Sequence, residues 1–391
     1  MHSEKHILKK KRKRRLENIL SIFILLSLLL GGLTGYYSSK IMRFLDDISV
    51  DTSDSDPDSL EYTKRLDELE PFSALILGLD VEEEDNSRSD TIIVVTVNPK
   101  SEDIKMVSIP RDTLITLTDE YGYEYTEKIN AAHATGGPRA ARDIIGEYLD
   151  IPIQFYATMD FDGLIELVDA VGGVTVDSDL AFSQSDYRNP GRTVNIVEGE
   201  QHLTGDDALA YARMRKTDPR GDFGRQDRQQ QVVVGILEKL VSFNTIANLN
   251  NILNAISPHL STNATSNQML TIATNYTGAV KNIEQLSIEG YADTTFFPHY
   301  GHEVYSWHAD GASLFEVQNA LKAHLGLEVS EEEYYPEDEE YYEEEYYEDE
   351  YYEEEYPEDE YYEEEYSEDE YYEDEYYEEE TEEYYDPELG Y

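Results

Sequence analysis

The sequence predicts an α/β layered domain set between an N-terminal membrane-crossing segment and an acidic, low-complexity tail. Across the middle of the chain, short β-branched runs alternate with stretches of helical spacing, the pattern of an α/β domain. Near the N-terminus, 19 uncharged residues follow a block of seven consecutive bases. The last 61 residues are almost wholly Tyr, Glu and Asp.

Residues 1–18 form a basic, cytoplasmic N-terminus, with Lys9 to Arg15 reading KKKRKRR. Ile19 to Tyr37, ILSIFILLSLLLGGLTGYY, is close to the ~20 residues needed to cross a ~30 Å hydrocarbon layer. A secretory signal has a shorter apolar core and a small-residue cleavage site; GGLTG can imitate that site, so cleavage stands as the alternative to an uncleaved anchor. Only Lys40 and Arg43 follow the span closely, and this asymmetry puts the N-terminus inside and the chain from Ser38 onward outside. Residues 38–70, with SVDTSDSDPDS, read as a polar juxtamembrane linker with a helix around Leu60–Leu69.

The folded domain spans residues 71–328. SALILGLD (73–80), TIIVVTVNP (91–99) and DIKMVSIP (103–110) read as three strands, the first two buried on both faces. Further extended pieces are Phe155–Thr158, Gly173–Val176 and Asn282–Ile288. Helical stretches are Asn130–Ala134, Arg139–Leu149, Phe161–Val171, Asp206–Arg215, Arg225–Ser242 and Leu314–Leu325. Thr204 is placed to cap the helix that begins at Gly205, with Asp206 and Asp207 favourable at its positive end. Gly172 and Gly173 close the helix ELVDAV and turn the chain into VTVD. Residues 245–280, rich in Asn, Ser and Thr, read as helix fragments and loops.

The tail, 329–391, repeats EDEYYEEEYP, EDEYYEEEYS and EDEYYEDEYY with a period of ten. Its charge density leaves little to bury, so no packed core is expected there. Residues 331–391 hold 35 of the 85 acids and neither Lys nor Arg, so the chain's net charge of −55 is mostly the tail's. The absence of cysteine excludes disulfides, thiolate zinc sites and a Cys nucleophile.

Against this acidic background, GDDALAYARMRKTDPRGDFGRQDRQQQ (205–231) gathers Arg213, Arg215, Arg220, Arg225 and Arg228 within sixteen positions. Guanidinium forks match phosphate oxygens in pairs and keep their charge, so the cluster points to an anion. Arg213 and Arg215 lie roughly 200° apart on a regular helix, so their convergence requires the helix to unwind locally or the site to wrap its end. Arg225 and Gln229, at i and i+4, share a face with Arg228 as neighbour. Arg88 in RSDT and Arg111 in SIPRD add candidates; Arg111–Asp112 reads equally as a phosphate clamp or as a surface ion pair. Asp80 and Asp90, at the ends of adjacent strands, either share a divalent cation such as Mg²⁺ or serve a turn and a strand entry. Lys128 reaches a phosphate or faces solvent, and the lone His133 reads as structural. A nucleic-acid partner is disfavoured, because the domain lacks a broad positive face and the basic run carries no interleaved aromatics.

The ordered series LILGLD, RSDTIIVVTVNP, SIPRD, KINAAHATGG, MDFDGLIELVDAVGGVTVD and LTGDDALAYARMR, followed by the D–GR–DRQ elements, resembles the LytR-CpsA-Psr family over residues 72–245 and more loosely to 326. That resemblance implies a mixed central β-sheet flanked by helices and an apolar groove for a lipid, drawn from 161–171 and 231–240. It implies a phosphotransferase that moves a glycopolymer, wall teichoic acid, capsule or similar, from a polyprenyl-pyrophosphate carrier to a peptidoglycan hydroxyl. By the same resemblance Asp80 and Asp90 associate with Mg²⁺, and Arg88, Arg111, Arg213, Arg215, Arg225 and Gln229 surround the pyrophosphate. Lys128 and Asp222 fall on recurrent motif positions, and Asp112 or Asp222 is a candidate to take the acceptor's proton. A pyrophosphatase that uses water as acceptor, and a lipid-binding wall protein without turnover, are the alternatives.

Overall fold

Six strands form a mixed sheet in the order β11-β6-β1-β2-β3-β12. They are β1 (Phe72–Leu79), β2 (Ser89–Asn98), β3 (Asp103–Ser108), β6 (Phe155–Asp160), β11 (Leu260–Thr262) and β12 (Ile283–Leu286). In this computed structural model the described residues are 36, 38–49, 59–79, 88–118, 121–240 and 252–330. The acidic repeat, Asp80, the basic block and the expected membrane span apart from Tyr36 lie outside them. No helix among the described residues is long and apolar enough to cross a membrane.

β1 runs antiparallel to β2 and parallel to β6, and β3 is antiparallel to β2 and parallel to β12. The β-branched runs explain the burial, since alternate residues face two cores. Leu75, Leu77, Ile92, Val94 and Val107 pack with α3 (Ala131–Tyr148) and α9 (Gly311–Leu325). Ile93, Val95, Val97, Ile104 and Met106 face the opposite way, onto Leu66, Tyr276 and Ala279. Leu66 belongs to α2 (Ser59–Asp67). A third core joins α4 (Phe161–Ala170), α5 (Gly205–Arg213), α6 (Asp222–Leu240), β7 (Val174–Ser178) and β10 (Gly199–Leu203). The hairpins β8 (Phe182–Ser185) with β9 (Thr193–Ile196), β4 (Leu114–Thr118) with β5 (Glu124–Lys128), and β13 (Gly290–Phe297) with β14 (His302–Ala309) fill the edges. These hairpins and β10 are additions to the expected elements.

Several expectations need correction. The polar linker over 38–70 is structured at both ends: α2 is the helix expected around Leu60–Leu69, α1 (38–48) was not expected, and the two send Phe44, Ile48 and Leu66 into the cores. Apolar residues spaced among polar ones make these short helices amphipathic, and the domain buries their apolar side. Thr204 does occupy the N-cap of α5, but its side chain accepts no capping bond. Asp169 Oδ1 instead accepts from the Gly205 N–H at 2.7 Å, so the cap comes from α4. α3 is broken as the sequence implies, with non-helical Gly136 and Gly137 ahead of Pro138. Gly173 has φ +83°, and a Cβ there would lie 2.3 Å from His202 Nε2, so only glycine fits the turn from α4 into β7.

Candidate active site

Strand pairing brings two separated motifs together. Asp90 opens β2 and Arg111 stands three residues beyond β3, and the antiparallel register sets Ile93 against Ser108. Arg111 Nη1 donates to Asp90 Oδ1 at 2.6 Å, and its Nε lies 3.6 Å from Asp112 Oδ2. Burial alone would lower the Arg111 pKa; the carboxylates of Asp90, Asp112 and Asp222, with Asp90 foremost, together outweigh it and raise it above the ordinary value.

Arg213 and Arg215 converge through a broken helix. α5 ends at Arg213, two residues short of the expected end, because Met214 is extended at φ −63°, ψ 129°. The buried Met214 side chain and its carbonyl, which accepts from Arg228 Nη2 at 2.6 Å, hold that break in place. α6 then starts at Asp222, three residues ahead of the expected Arg225, so an acid rather than a base sits in its first turn. Gln230 Nε2 donates to Ser108 Oγ at 2.7 Å and ties α6 to β3. Arg225 and Gln229, one turn apart, therefore face the same space as Arg111, Arg213 and Arg215.

That space is a cavity of about 490 Å³, lined also by Asp90, Thr91, Phe161, Lys216 and residues 183–185. Arg213 lies over the rings of Phe161, 4.9 Å away, and Tyr187, 5.2 Å away, which fixes its plane. Arg225 is 6% exposed, and burial lowers its pKa, with Arg111 and Arg215 repelling it against the attraction of Asp222 and Asp90. The Nε atoms of both Arg111 and Arg225 are buried without a hydrogen-bond partner. Crowded guanidiniums with unused donors cost free energy that a bound anion offsets.

A second cavity, about 230 Å³ and almost wholly apolar, shares Thr91, Phe161, Arg213 and Gln229 with the first. Its walls include Leu164 and Leu167 of α4 and Val232, Val233, Ile236 and Leu237 of α6, the two segments from which the lipid groove was expected. Ile76 of β1 and Ala157 of β6 form its floor side on the sheet. The two cavities together have the shape a charged head and a hydrocarbon tail require.

Other expected site residues lie elsewhere. Arg88 does not line the arginine cavity; its Nη2 donates to the Tyr300 hydroxyl at 2.6 Å. Lys128 is buried and pairs with Asp112 at 2.8 Å, so it orients that carboxylate. Two of the five clustered arginines are structural. Arg228 and Asp218, each with a side chain 1% exposed, pair at 2.6 Å, and Arg220 joins Asp179, Asp218 and Asp227. Spacing in the sequence cannot separate a guanidinium that meets an aspartate from one that meets a phosphate. Tyr187 and the β8 residues 183–185 were not anticipated, since no motif of charged or nucleophilic groups marks them; Thr91 and Lys216 stand inside RSDT and the basic run without having been singled out.

The LytR_cpsA_psr family profile matches residues 39–323, which span α1 to α9 and every site residue above. The chain belongs to the LytR-CpsA-Psr family. The polyisoprenyl-teichoic acid–peptidoglycan teichoic acid transferase TagU of Bacillus subtilis is 36% identical over 319 residues, covering 81% of this chain and 98% of that one. The TagU of Halalkalibacterium halodurans is 44% identical over 260 residues, 66% of this chain and 80% of its own. Among solved structures, TagV of B. subtilis superposes with a TM-score of 0.57 at 36% identity, over 66% of this chain and 99% of its own. TagT bound to LI-WTA superposes with a TM-score of 0.53 at 27% identity, over 66% of this chain and 92% of its own. The start of the family match at residue 39 agrees with α1 as part of the folded domain.

Proposed function

We propose that this LytR-CpsA-Psr protein is a phosphotransferase that moves a teichoic acid or similar glycopolymer from a polyprenyl-pyrophosphate carrier to peptidoglycan, leaving a phosphodiester. The observation that carries this reading is the pair of adjoining cavities, one lined by Arg111, Arg213, Arg215 and Arg225, the other by hydrocarbon. The names of the relatives, teichoic acid transferases acting on peptidoglycan, supply the substrate class.

The chain's residues account for the chemistry as positioning and charge neutralisation. The guanidiniums hold the non-bridging oxygens of the diphosphate, and the apolar cavity holds the first part of the carrier lipid. An acceptor hydroxyl forms its bond to the phosphorus that bears the polymer. The P–O–P bond breaks, and the lipid monophosphate leaves with its charge spread over the arginines. Asp222 takes the hydroxyl proton. Its Oδ2 accepts from the neutral Gln226 amide at 3.1 Å and its Oδ1, 2.7 Å from Arg225 Nη2, is not aligned for a hydrogen bond, whereas Asp112 accepts from the Lys128 ammonium at 2.8 Å.

A Mg²⁺ ion would be held by Asp90, with Asp80 as the second carboxylate. The donor chemistry fits: Asp90 is a half-buried hard oxygen ligand on the cavity wall, and Mg²⁺ is commonly bound by one or two carboxylates with substrate phosphates. When bound, it neutralises charge on the diphosphate. The assay is incubation of the purified protein with a lipid-pyrophosphate-linked polymer and peptidoglycan oligomers, with Mg²⁺ or with EDTA. Conjugate in the Mg²⁺ arm and its loss in EDTA are expected. Free phosphorylated polymer without conjugate makes water the acceptor and rejects the transferase; neither product rejects turnover altogether.

Residues 19–37 are the proposed single membrane anchor, with the N-terminus cytoplasmic and the domain outside, supported by the seven bases ahead of the span. Because the chain has no cysteine, one introduced Cys at the exposed Ser183 reports the side directly. A membrane-impermeant maleimide should label it in intact cells; labelling only after lysis contradicts the topology.

The lipid assignment has its own test. Ala157→Phe places a ring in the apolar cavity. Excluding even two methylenes of the carrier costs about 1.6 kcal/mol, roughly fifteenfold in affinity. Donor KM should rise by at least that much with little change in thermal stability. An unchanged donor KM would place the lipid outside this cavity.

A further inference from the structure

Beside the arginine cavity lies a third one of about 260 Å³, and Arg215 lines both. Its lining differs in kind. Phe223, Tyr305 and Trp307 contribute three aromatic rings, and Asp112 and Asp222 contribute two carboxylates. Phe223 meets Trp307 edge-on, 5.9 Å between ring centres at 66°. The aromatics arrive from two elements, Phe223 from the first turn of α6 and the other two from β14.

The cavity is constructed rather than incidental. Trp307 is 2% exposed, and its backbone N–H donates to the Asp112 carbonyl at 2.9 Å, so the strand that carries the indole is tied to the segment that carries Arg111 and Asp112. Gly290, which pairs with Ala309 two residues along β14, lets the ring lie against bare backbone, since a Cβ there would be 2.4 Å from the indole. The Trp307 Nε1–H is buried with no hydrogen-bond partner. Asp222 Oδ1 is ion-paired with Arg225 but accepts no aligned hydrogen bond, so the same cavity holds an unused donor and a carboxylate oxygen with acceptor capacity left. Burial raises the Tyr305 pKa, with Asp112 and Asp222 adding to it against Arg215, so its hydroxyl remains a neutral donor. Phe223 and Tyr305 are 38% and 40% exposed, which leaves the cavity open to a ligand from solvent.

Aromatic faces beside carboxylates and neutral donors suit one ligand class well. A pyranose presents apolar C–H faces to the rings and hydroxyls to the carboxylates. Arg215 and Arg220 also line it, so the two carboxylates are balanced by two guanidiniums, without the cationic excess that suits the arginine cavity to a diphosphate, and a polyprenyl chain would leave these charged groups desolvated for no new hydrogen bond. We propose that this third cavity seats a sugar ring of the acceptor glycan, with Phe223, Tyr305 and Trp307 as its platform. The proposal rests on the transferase reading and gives that reading a direction. The carrier lies on one side of Arg215 and the acceptor on the other, and Asp222 stands between the acceptor's hydroxyl and Arg225.

Trp307 is the chain's only tryptophan, so its emission reports the cavity without a label. The full-length protein in detergent is titrated with a soluble N-acetylglucosamine–N-acetylmuramic acid disaccharide. A saturable change in emission is expected. In Phe223→Ala and Tyr305→Ala the half-saturating concentration, and the KM for peptidoglycan oligomers, should rise about tenfold while donor KM stays put. Both sites are partly exposed, so folding is preserved, and the unchanged donor KM confirms it. No emission change in a preparation that transfers polymer, or variants with wild-type acceptor KM, would overturn the proposal. Variant-sensitive disaccharide binding by a protein that transfers nothing would keep the sugar site and reject the transferase.

Discussion

Arg111→Ala is expected to lower polymer transfer by about 10²–10³, the cost of removing one preorganised donor from a developing charge. Arg225→Ala should do at least as much, because its guanidinium is buried against Asp222 and its removal strands that carboxylate as well. Lysine should restore little at either position. Arg111 serves Asp90 at 2.6 Å while leaving its Nε unused, and an ammonium cannot divide itself between a carboxylate and a phosphate in that plane. Arg88→Ala is the informative comparison. Arg88 donates to Tyr300 outside the arginine cavity, so its loss should change transfer by only a few-fold. Initial rates at saturating donor check all five variants. Equal losses for Arg88→Ala and Arg111→Ala would show that the cavity has been drawn in the wrong place.

Asp218→Asn is expected to cost about 3–5 kcal/mol of stability, because it leaves the Arg228 guanidinium buried without its counter-charge. The site gives this pair little slack. A Cβ on Gly224 would lie 1.8 Å from Asp218 Oδ2, so the carboxylate is fitted against bare backbone. The pH dependence follows. Burial opposes ionisation of Asp218, but hydrogen bonds from Arg228 and Arg220 outweigh it and hold its pKa below the usual carboxylate range. A depressed native pKa means the contribution is complete above the unfolded value of about 3.9 and is lost as pH falls through the native one. Urea midpoints should therefore show a constant gap between wild type and variant from pH 7 to 5, narrowing only below about pH 4. A gap that closes between pH 6 and 7 would assign the effect to another group. The variant should also lose activity beyond its lost stability, since Arg228 binds the Met214 carbonyl at the break that turns Arg215 into the cavity.

The sheet and the major helices were readable because their signals are local and strong. TIIVVTVNP is β-branched and ends in Asn-Pro, and ELVDAVGG announces its own stop. The need for a break between Arg213 and Arg215 was also readable, as a geometric demand; its place, at Met214, was not, because the buried packing that fixes it is tertiary. The same reason explains Arg88, which does not line the arginine cavity, and Arg228, whose structural role its place in the cluster did not reveal. A guanidinium's partner is set by what the fold brings to it, Tyr300 for Arg88 and Asp218 for Arg228. The β8–β9 hairpin was silent because its strands are only four residues long, and β13–β14 because its strands, though eight residues each, are largely exposed and carry weak patterning. They nevertheless line two of the three cavities. In 38–70 the helix around Leu60–Leu69 was readable, but composition hid α1 and the docking of both helices, for which Phe44, Ile48 and Leu66 are enough.

The central claim is that one amphiphile occupies both the arginine cavity and the apolar one. A crystal structure of the protein with a short polyprenyl pyrophosphate tests it most directly. The account predicts diphosphate density between Arg111, Arg213, Arg215 and Arg225, with the hydrocarbon running between Leu164 of α4 and Ile236 of α6. Density for the diphosphate at any other surface, or an apolar cavity left empty beside a bound headgroup, would contradict it.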